Sequence, residues 1–194
     1  DIDGKDVPLT TLDKNGNKIE NGEIPVAIEL SSLKINKEDF TMTKGTSETL
    51  TVTGTPAEAL EGQTITWKSS NKDVVTVDSK GKVEAVGVGN ATITATAAGK
   101  SDSVKITVNN PLKKITVDPA TLTLKKGTSK TLSVKYDPAD TTDNKAVTWE
   151  SSDKSVATVD ANGKVTALKD GSATITAKVG KLTATCALTV QEKK

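Results

Sequence analysis

The sequence predicts an all-β chain built from two tandem β-sandwich domains joined end to end. Three observations support this fold class: the chain repeats itself once, apolar residues alternate with polar ones, and long runs of helix-forming residues are absent. The β-branched residues Thr and Val recur throughout, and they suit the pleated, half-buried surface of a sheet. Aromatic residues make up only 2% of the chain, so aliphatic side chains must fill the core.

The repeat has a period of 82 residues and contains no gap. Trp67 falls on Trp149, and residues 30–108 match the residues 82 positions later at about 32 of about 79 aligned positions. A gapless copy of this length predicts two domains that share one fold and the same loop lengths.

Short strands account for the pattern inside each copy, because apolar residues recur there with a period of two. Such a period places one face of each strand in the core and the other in solvent. Glycine turns separate these segments, and Asn162-Gly163 is a strong hairpin signal. We therefore expect seven or eight short strands in about 80 residues, which is typical of a sandwich. The matched apolar positions include Leu33 with Ile115, Leu50 with Leu132, Val83 with Val165, Ile93 with Ile175, and Ile106 with Leu188.

Four blocks in the second copy carry a recognisable motif. Residues 149–152 are W-E-S-S, residues 156–160 are V-A-T-V-D, residues 163–167 are G-K-V-T-A, and residues 171–177 are G-S-A-T-I-T-A. Together they resemble the bacterial immunoglobulin-like domain of group 2. The first copy matches as closely, except that Val75 stands in the place of an alanine.

This resemblance covers residues 30 to 190, and it implies an immunoglobulin-like sandwich for each copy. Members of the family are modules of bacterial adhesins, of intimin- or invasin-like stalks, of surface-layer enzymes, and of phage tails and capsids. The fold alone does not choose among these settings.

From the repeat and this resemblance we expect residues 27–109 to form the first immunoglobulin-like domain and residues 110–194 to form the second. Residues 1–26 fall outside the repeat and predict a hairpin around Asn15-Gly16. We assign this segment to the end of a preceding domain, and an extra strand pair on the first copy is the alternative. Pro111 restricts the short connection between the copies, so we expect a joint with modest hinge freedom.

The inventory of reactive side chains is small. The chain has no histidine and one cysteine, which excludes a Ser-His-Asp triad and disfavours a zinc site. Cys186 aligns with an inward valine and is expected to be a small buried apolar residue.

Asp78 and Asp160 stand beside glycine turns, where an aspartate bonds backbone amides. Trp67 and Trp149 are expected in the core rather than on a sugar-binding surface. We predict no catalytic, cofactor-binding or metal-binding residues.

Two groups of acidic residues raise the question of calcium. They are Asp1, Asp3 and Asp6, and Asp137, Asp140 and Asp143. Calcium prefers several oxygen ligands, but neither group follows the spacing of a helix-loop-helix calcium site. We interpret both as solvated loop acids, with weak calcium binding as the alternative.

The charge balance and hydropathy narrow the class of function. With 26 basic and 25 acidic residues, the net charge of +1 predicts no general attraction to nucleic acid. No apolar run approaches the ~18 residues of a membrane span. We expect a non-enzymatic spacer or display module of a bacterial cell-surface or phage virion protein, outside the cell and connected to neighbouring domains.

The alternative is an adhesin-type module that binds a host receptor, another protein or a surface glycan. Binding would then use the loops at which the two copies differ most, because loops commonly carry recognition. These are residues 58–63 against 140–145, and residues 96–101 against 178–183.

Overall fold

The computed structural model describes residues 28–192, which form two all-β sandwiches with the same strand order. The first contains β1 (Ser32–Ile35), β2 (Phe40–Thr43), β3 (Ser47–Thr49), β4 (Val52–Thr55), β5 (Thr66–Ser69), β6 (Val75–Val77), β7 (Lys82–Ala85), β8 (Gly89–Ala97) and β9 (Lys100–Asn109). The second contains β10 (Lys114–Asp118), β11 (Thr121–Lys125), β12 (Ser129–Thr131), β13 (Ser133–Asp137), β14 (Thr148–Ser151), β15 (Ala157–Val159), β16 (Lys164–Ala167), β17 (Gly171–Val179) and β18 (Leu182–Gln191). A 3-10 helix spans Ala57–Leu60. The hairpin predicted around Asn15-Gly16 lies outside the described residues.

Each sandwich has a four-stranded sheet as one layer. Its order is β2-β9-β8-β5 in the first sandwich and β11-β18-β17-β14 in the second. The other layer consists of a strand pair and a three-stranded sheet: β1-β4 with β3-β7-β6, and β10-β13 with β12-β16-β15. The predicted all-β class and the tandem sandwiches are thus confirmed, and the 82-residue repeat corresponds to a repeated topology.

The number of strands differs from the expectation of seven or eight, because each sandwich has nine among the described residues. The extra strands arise where a strand divides between the two layers. In the first sandwich β1 pairs antiparallel with β4, whereas β2, next along the chain, pairs parallel with β9. Side chains support the break: Asn36 Oδ1 accepts the Thr51 amide at 2.9 Å, and Asp39 Oδ1 accepts the Lys105 amide at 2.8 Å.

Small aliphatic residues fill the two cores. From Ala91 in β8 and from Ala173 in β17, every second residue is buried, as an apolar period of two requires. Fully buried positions include Val75, Val83 and Ile93 in the first sandwich and Val165 and Ile175 in the second. Full burial of one such Val or Ile side chain contributes roughly 1.5–3 kcal/mol. Among residues 28–192 there is no helix long and apolar enough to cross a membrane.

Candidate functional site at the joint between the sandwiches

The connection between the sandwiches is anchored on both sides by hydrogen bonds. On the first sandwich, the Lys44 amide donates to the Asn109 carbonyl at 2.8 Å. On the second, the Asn110 amide donates to Thr142 Oγ1 at 3.1 Å, and the Thr142 amide donates to the Asn110 carbonyl at 3.0 Å. The next anchored group is the Leu112 amide, which donates to Asp143 Oδ2 at 2.9 Å. The consecutive residues Asn109 and Asn110 are therefore attached to different sandwiches, Asn109 to the first and Asn110 to the second.

Asp140 links three parts of the molecule. Its Oδ2 accepts a hydrogen bond and forms an ion pair at 2.6 Å from Lys44 Nζ of the first sandwich. Its Oδ1 accepts the side-chain amide of Asn110 at 2.8 Å. The Lys44 ammonium, and to a smaller extent the Asn110 amide, hold the pKa of the Asp140 carboxyl below its ordinary value. The carboxylate is therefore charged at neutral pH, as the bridging geometry requires.

The turn that carries Lys44 explains why this lysine reaches the joint. Gly45 adopts φ +86°, in the left-handed region that favours glycine. Its amide donates to the Ala85 carbonyl at 2.7 Å, which fixes the turn against β7. The second sandwich repeats this turn: Gly127 has φ +82°, and its amide donates to the Ala167 carbonyl at 2.9 Å. Lys126 is thus the counterpart of Lys44, but it occupies the corresponding turn of the second sandwich.

The divergent loops of the second sandwich lie at the end where the chain enters it. Thr148 pairs with Lys178, and Lys114 pairs with Asp137, so residues 138–147 and the β17–β18 hairpin share that end. Residues 140–145 therefore contact the connection and Lys44, through Asp140, Thr142 and Asp143. Residues 140–145, which the sequence predicts as a candidate recognition loop, are thus partly engaged at the joint.

Two of the acidic residues singled out from sequence are engaged in contacts within the protein. Asp140 and Asp143 bind the joint, whereas Asp137 lies in β13. Among residues 28–192, no group of three or more potential metal-ligating side chains comes together. Asp1, Asp3 and Asp6 lie outside the described residues.

Asp78 and Asp160 organise equivalent hairpin turns. Asp78 Oδ1 accepts the amides of Lys80 and Lys82 at 2.8 and 2.9 Å. Asp160 Oδ1 accepts the corresponding amides of Asn162 and Lys164 at 2.9 Å each. The Lys82 and Lys80 amides lower the pKa of Asp78, because they favour its charged form. These contacts give both aspartates the turn-forming role that their positions predict.

The two tryptophans and the cysteine contribute to the cores. Trp67 and Trp149 pack against the buried clusters, but they stay partly exposed, so they are less buried than expected. Cys186 has 0% exposure, in agreement with the alternation of β18. Burial raises the pKa of its thiol. A buried, protonated thiol is a poor nucleophile and packs as a small apolar group.

The serine pair after each tryptophan has a structural role that sequence reasoning missed. Ser69 and Ser151 are both buried, and Ser69 Oγ donates to the Val75 carbonyl at 2.6 Å. Ser70 Oγ accepts the Thr92 amide at 2.8 Å, and Ser152 Oγ accepts the Thr174 amide at 2.8 Å. These bonds join the end of one strand to its neighbours. The sequence does contain a sign of this role, because serine occurs at the same two positions after the tryptophan in both copies.

The repeat, the divided strands and these motif contacts agree with one domain family. A sequence profile described as the bacterial Ig-like domain (group 2) matches residues 30–108 and again residues 111–190. The chain belongs to this family. The two matched segments correspond to the two sandwiches and leave only Asn109 and Asn110 between them.

Three relatives show how varied the parent proteins are. The chain is 41% identical over 105 residues to lacto-N-biosidase of Bifidobacterium bifidum, a match that covers 53% of this chain and 9% of that protein. It is 32% identical over 127 residues to ice-binding protein 1 of Shewanella frigidimarina, covering 62% and 14%. It is 39% identical over 80 residues to a minor capsid protein of Enterobacteria phage T3, covering 41% and 18%. The matches thus span less than a fifth of these three relatives.

Solved structures agree on the fold. The four N-terminal immunoglobulin domains of Dscam1 isoform 9.44 superpose with a TM-score of 0.52 over 86% of this chain and 47% of that one. The sequence identity is 14%, so this likeness concerns the fold alone. The family membership and this superposition make the chain an immunoglobulin-like tandem.

Proposed function

We propose that this chain is a spacer or display module, which holds other parts of an extracellular or virion-surface protein at a set distance and orientation. The observation that carries the proposal is the anchored joint. Asn109 is bound by the first sandwich and Asn110 by the second, so little unanchored chain remains between them. This also supports a domain boundary between residues 109 and 110.

The ion pair at the joint acts on orientation rather than on folding stability. Lys44 and Asp140 are exposed by 37% and 53%, and exposed ion pairs contribute little to folding stability because water screens them. Such a contribution is small beside the free energy of folding, but it matters for the angle between two sandwiches that are already folded. The bonds of Asn110 and Asp143 hold the connection on the second sandwich, which shortens the free chain, while the ion pair ties the second sandwich to the first.

The relatives support a module without its own chemistry. An enzyme, an ice-binding protein and a capsid protein all match this chain over a small part of their length. Since their names denote different activities, the shared domain is best explained as a non-catalytic structural part. The absence of catalytic and metal-binding residues remains a prediction.

The joint offers a direct test by NMR on the full chain. Residual dipolar couplings and 15N relaxation should give both sandwiches one alignment tensor and one correlation time. Lys44→Ala with Asp140→Ala should separate the two tensors, whereas Lys126→Ala should leave them equal. Lys126 is the matched control, because it has the same place in the other sandwich. Independent tumbling of the two sandwiches in the unaltered chain would overturn the proposal.

An adhesin-type function has less support from the described residues, because the second sandwich uses one divergent loop at the joint. Residues 58–63 and 96–101 of the first sandwich and residues 178–183 of the second remain available for recognition. Saturable binding to bacterial cells or isolated cell walls, lost when each of these segments is exchanged for its counterpart in the other copy, would favour that function. Absence of binding would leave the spacer.

A further inference from the structure

The four-stranded sheet of each sandwich ends in a strand that has a partner on one side only. Within residues 28–192, β5 pairs with β8 and β14 pairs with β17, and each is the last strand of its sheet. An edge strand of this kind presents unpaired backbone N–H and C=O groups to other chains. Both sandwiches therefore carry a free edge at the equivalent strand.

Hydrogen bonds to the neighbouring strand show which backbone groups of β5 are free. The Ser70 amide donates to the Thr92 carbonyl at 2.9 Å. Backbone groups alternate in direction along an antiparallel strand, so those of Lys68 also face β8. The N–H and C=O groups of Trp67 and Ser69 therefore point away from the sheet.

The free edge of β14 has the same arrangement. The Ser152 amide donates to the Thr174 carbonyl at 3.0 Å, so the backbone groups of Glu150 face β17. The N–H and C=O groups of Trp149 and Ser151 point away from the sheet. Each edge thus offers two residues whose backbone groups can pair with a further strand.

The two edges differ at one residue, and the difference reverses a charge. The sequence of β5 is T-W-K-S and that of β14 is T-W-E-S. Lys68 and Glu150 are both exposed, and none of the ion pairs within the described part of the chain includes either of them. Opposite charges directly across a strand pair stabilise it, and like charges destabilise it. Charge therefore disfavours pairing of β5 with β5 or of β14 with β14, and it favours pairing of β5 with β14.

We propose that β5 of one copy of this chain pairs antiparallel with β14 of a second copy, so that copies associate side by side. Two conditions fix the register: the outward backbone groups must meet, and the opposite charges must face each other. Lys68 then lies opposite Glu150 as a non-hydrogen-bonded pair, in which the two Cα atoms are only about 4.5 Å apart. The hydrogen-bonded pairs on either side are Trp67 with Ser151 and Ser69 with Trp149.

The charges of the whole sandwiches act in the same sense. Residues 28–109 contain nine lysines and ten acidic residues, whereas residues 110–192 contain 12 lysines and nine acidic residues. Pairing of β5 with β14 sets the first sandwich of one copy beside the second sandwich of another, and so brings opposite net charges together. The inference goes beyond the proposed spacer function and does not depend on it, because Lys68 and Glu150 take no part in the contacts of the joint.

Sedimentation velocity of the full chain tests the association by reversal of charge. Each edge strand has four residues, so the ladder is short, and we expect association only at high protein concentration and low salt. K68E and E150K should each weaken association severalfold, because like charges then face each other. The K68E/E150K double variant restores opposite charges and should restore association. A monomer at every concentration, or association unchanged by both single reversals, would refute the pairing.

Disulfide trapping tests the register directly. The Cα separation of about 4.5 Å for the facing pair lies within the range of a disulfide bond. Under oxidising conditions, a mixture of the K68C chain and the E150C chain should form a mixed dimer severalfold faster than a mixture of the K105C chain and the E150C chain. Lys105 is the matched control, since it is exposed on β9 rather than on an edge strand. Cys186 has 0% exposure, so the native thiol does not compete. Equal rates for the two mixtures would show that β5 and β14 do not meet in this register.

Discussion

At the scale of single residues, the hairpin glycines beneath the tryptophans are constrained both by backbone conformation and by space. Gly163 has φ +77°, and a Cβ placed on it would lie 2.8 Å from Trp149 Cζ2 and 2.9 Å from the Leu132 carbonyl oxygen. Gly81 is placed in the same way against Trp67, with φ +81°. The position requires glycine both for its backbone conformation and for space. This explains why D-x-x-G recurs in both copies.

Gly163→Ala should therefore destabilise the second sandwich strongly. Left-handed backbone costs an ordinary residue roughly 1–2 kcal/mol, and overpacking adds about 1–3 kcal/mol. Gly127→Ala is the matched control, since Gly127 has φ +82° but nothing within 4 Å of the added Cβ. It should show only the backbone cost. Urea unfolding followed by tryptophan fluorescence in a Trp67→Phe background, where only Trp149 emits, measures both, and equal losses for the two variants would contradict the steric part of the argument.

At the scale of strands, the sequence predicts the inward faces well and the sheet assignment less well. The period-two pattern identifies residues such as Ile93 and Ile175, because side-chain alternation is a local property of a strand. The placement of β1 and β2 in different layers was not predicted, since a switch between layers depends on the partner strands. The joint was missed for a similar reason: Lys44 and Asp140 are 96 residues apart, and only folding brings them together.

Asp102 provides a contact that distinguishes the two sandwiches at this scale. Its Oδ2 accepts the Ile35 amide at 2.7 Å, so it connects β9 to β1 of the opposite layer. The second sandwich has Ala184 at this position and lacks the equivalent bond. The side chain therefore stabilises only the first sandwich.

Asp102→Ala should lower the free energy of unfolding of the first sandwich by roughly 1.5–3 kcal/mol, as expected for a bond to a charged group. Asp102→Asn keeps an acceptor oxygen and should lose less. Hydrogen exchange of the two sets of amides, observed by NMR, reports on each sandwich separately. Faster exchange in the second sandwich, or no change in the first, would show that this bond does not have the assigned role.

At the scale of the whole molecule, charged groups connect pH to both stability and orientation. The pKa of Asp78 is lowered by the amides of Lys82 and Lys80, and the pKa of Asp153 by the hydroxyl and amide of Ser155. The pKa of Asp140 is lowered by Lys44 at the joint. The chain has no histidine, whose side chain would titrate near neutral pH.

The sign of the acid effect follows from these directions. A carboxyl whose pKa is lower in the folded state stabilises folding above its unfolded value of about 4. That contribution is lost as the pH falls through the lower folded value. Urea midpoints should therefore be nearly constant between pH 5 and 8 and should fall below pH 4. Asp78→Asn should reduce the fall, because one of the titrating groups is then absent.

The joint should respond to acid in the same pH range as the sandwiches. When Asp140 is protonated, it loses its ion pair with Lys44, so the two NMR alignment tensors should separate only as the pH falls below the ordinary carboxyl range, about 4. In the Asp140→Asn variant, which keeps an acceptor but has no titrating carboxyl, the tensors should be independent of pH. Separation in the unaltered chain between pH 8 and 5, where Asp140 remains charged, would show that another group controls the orientation of the two sandwiches.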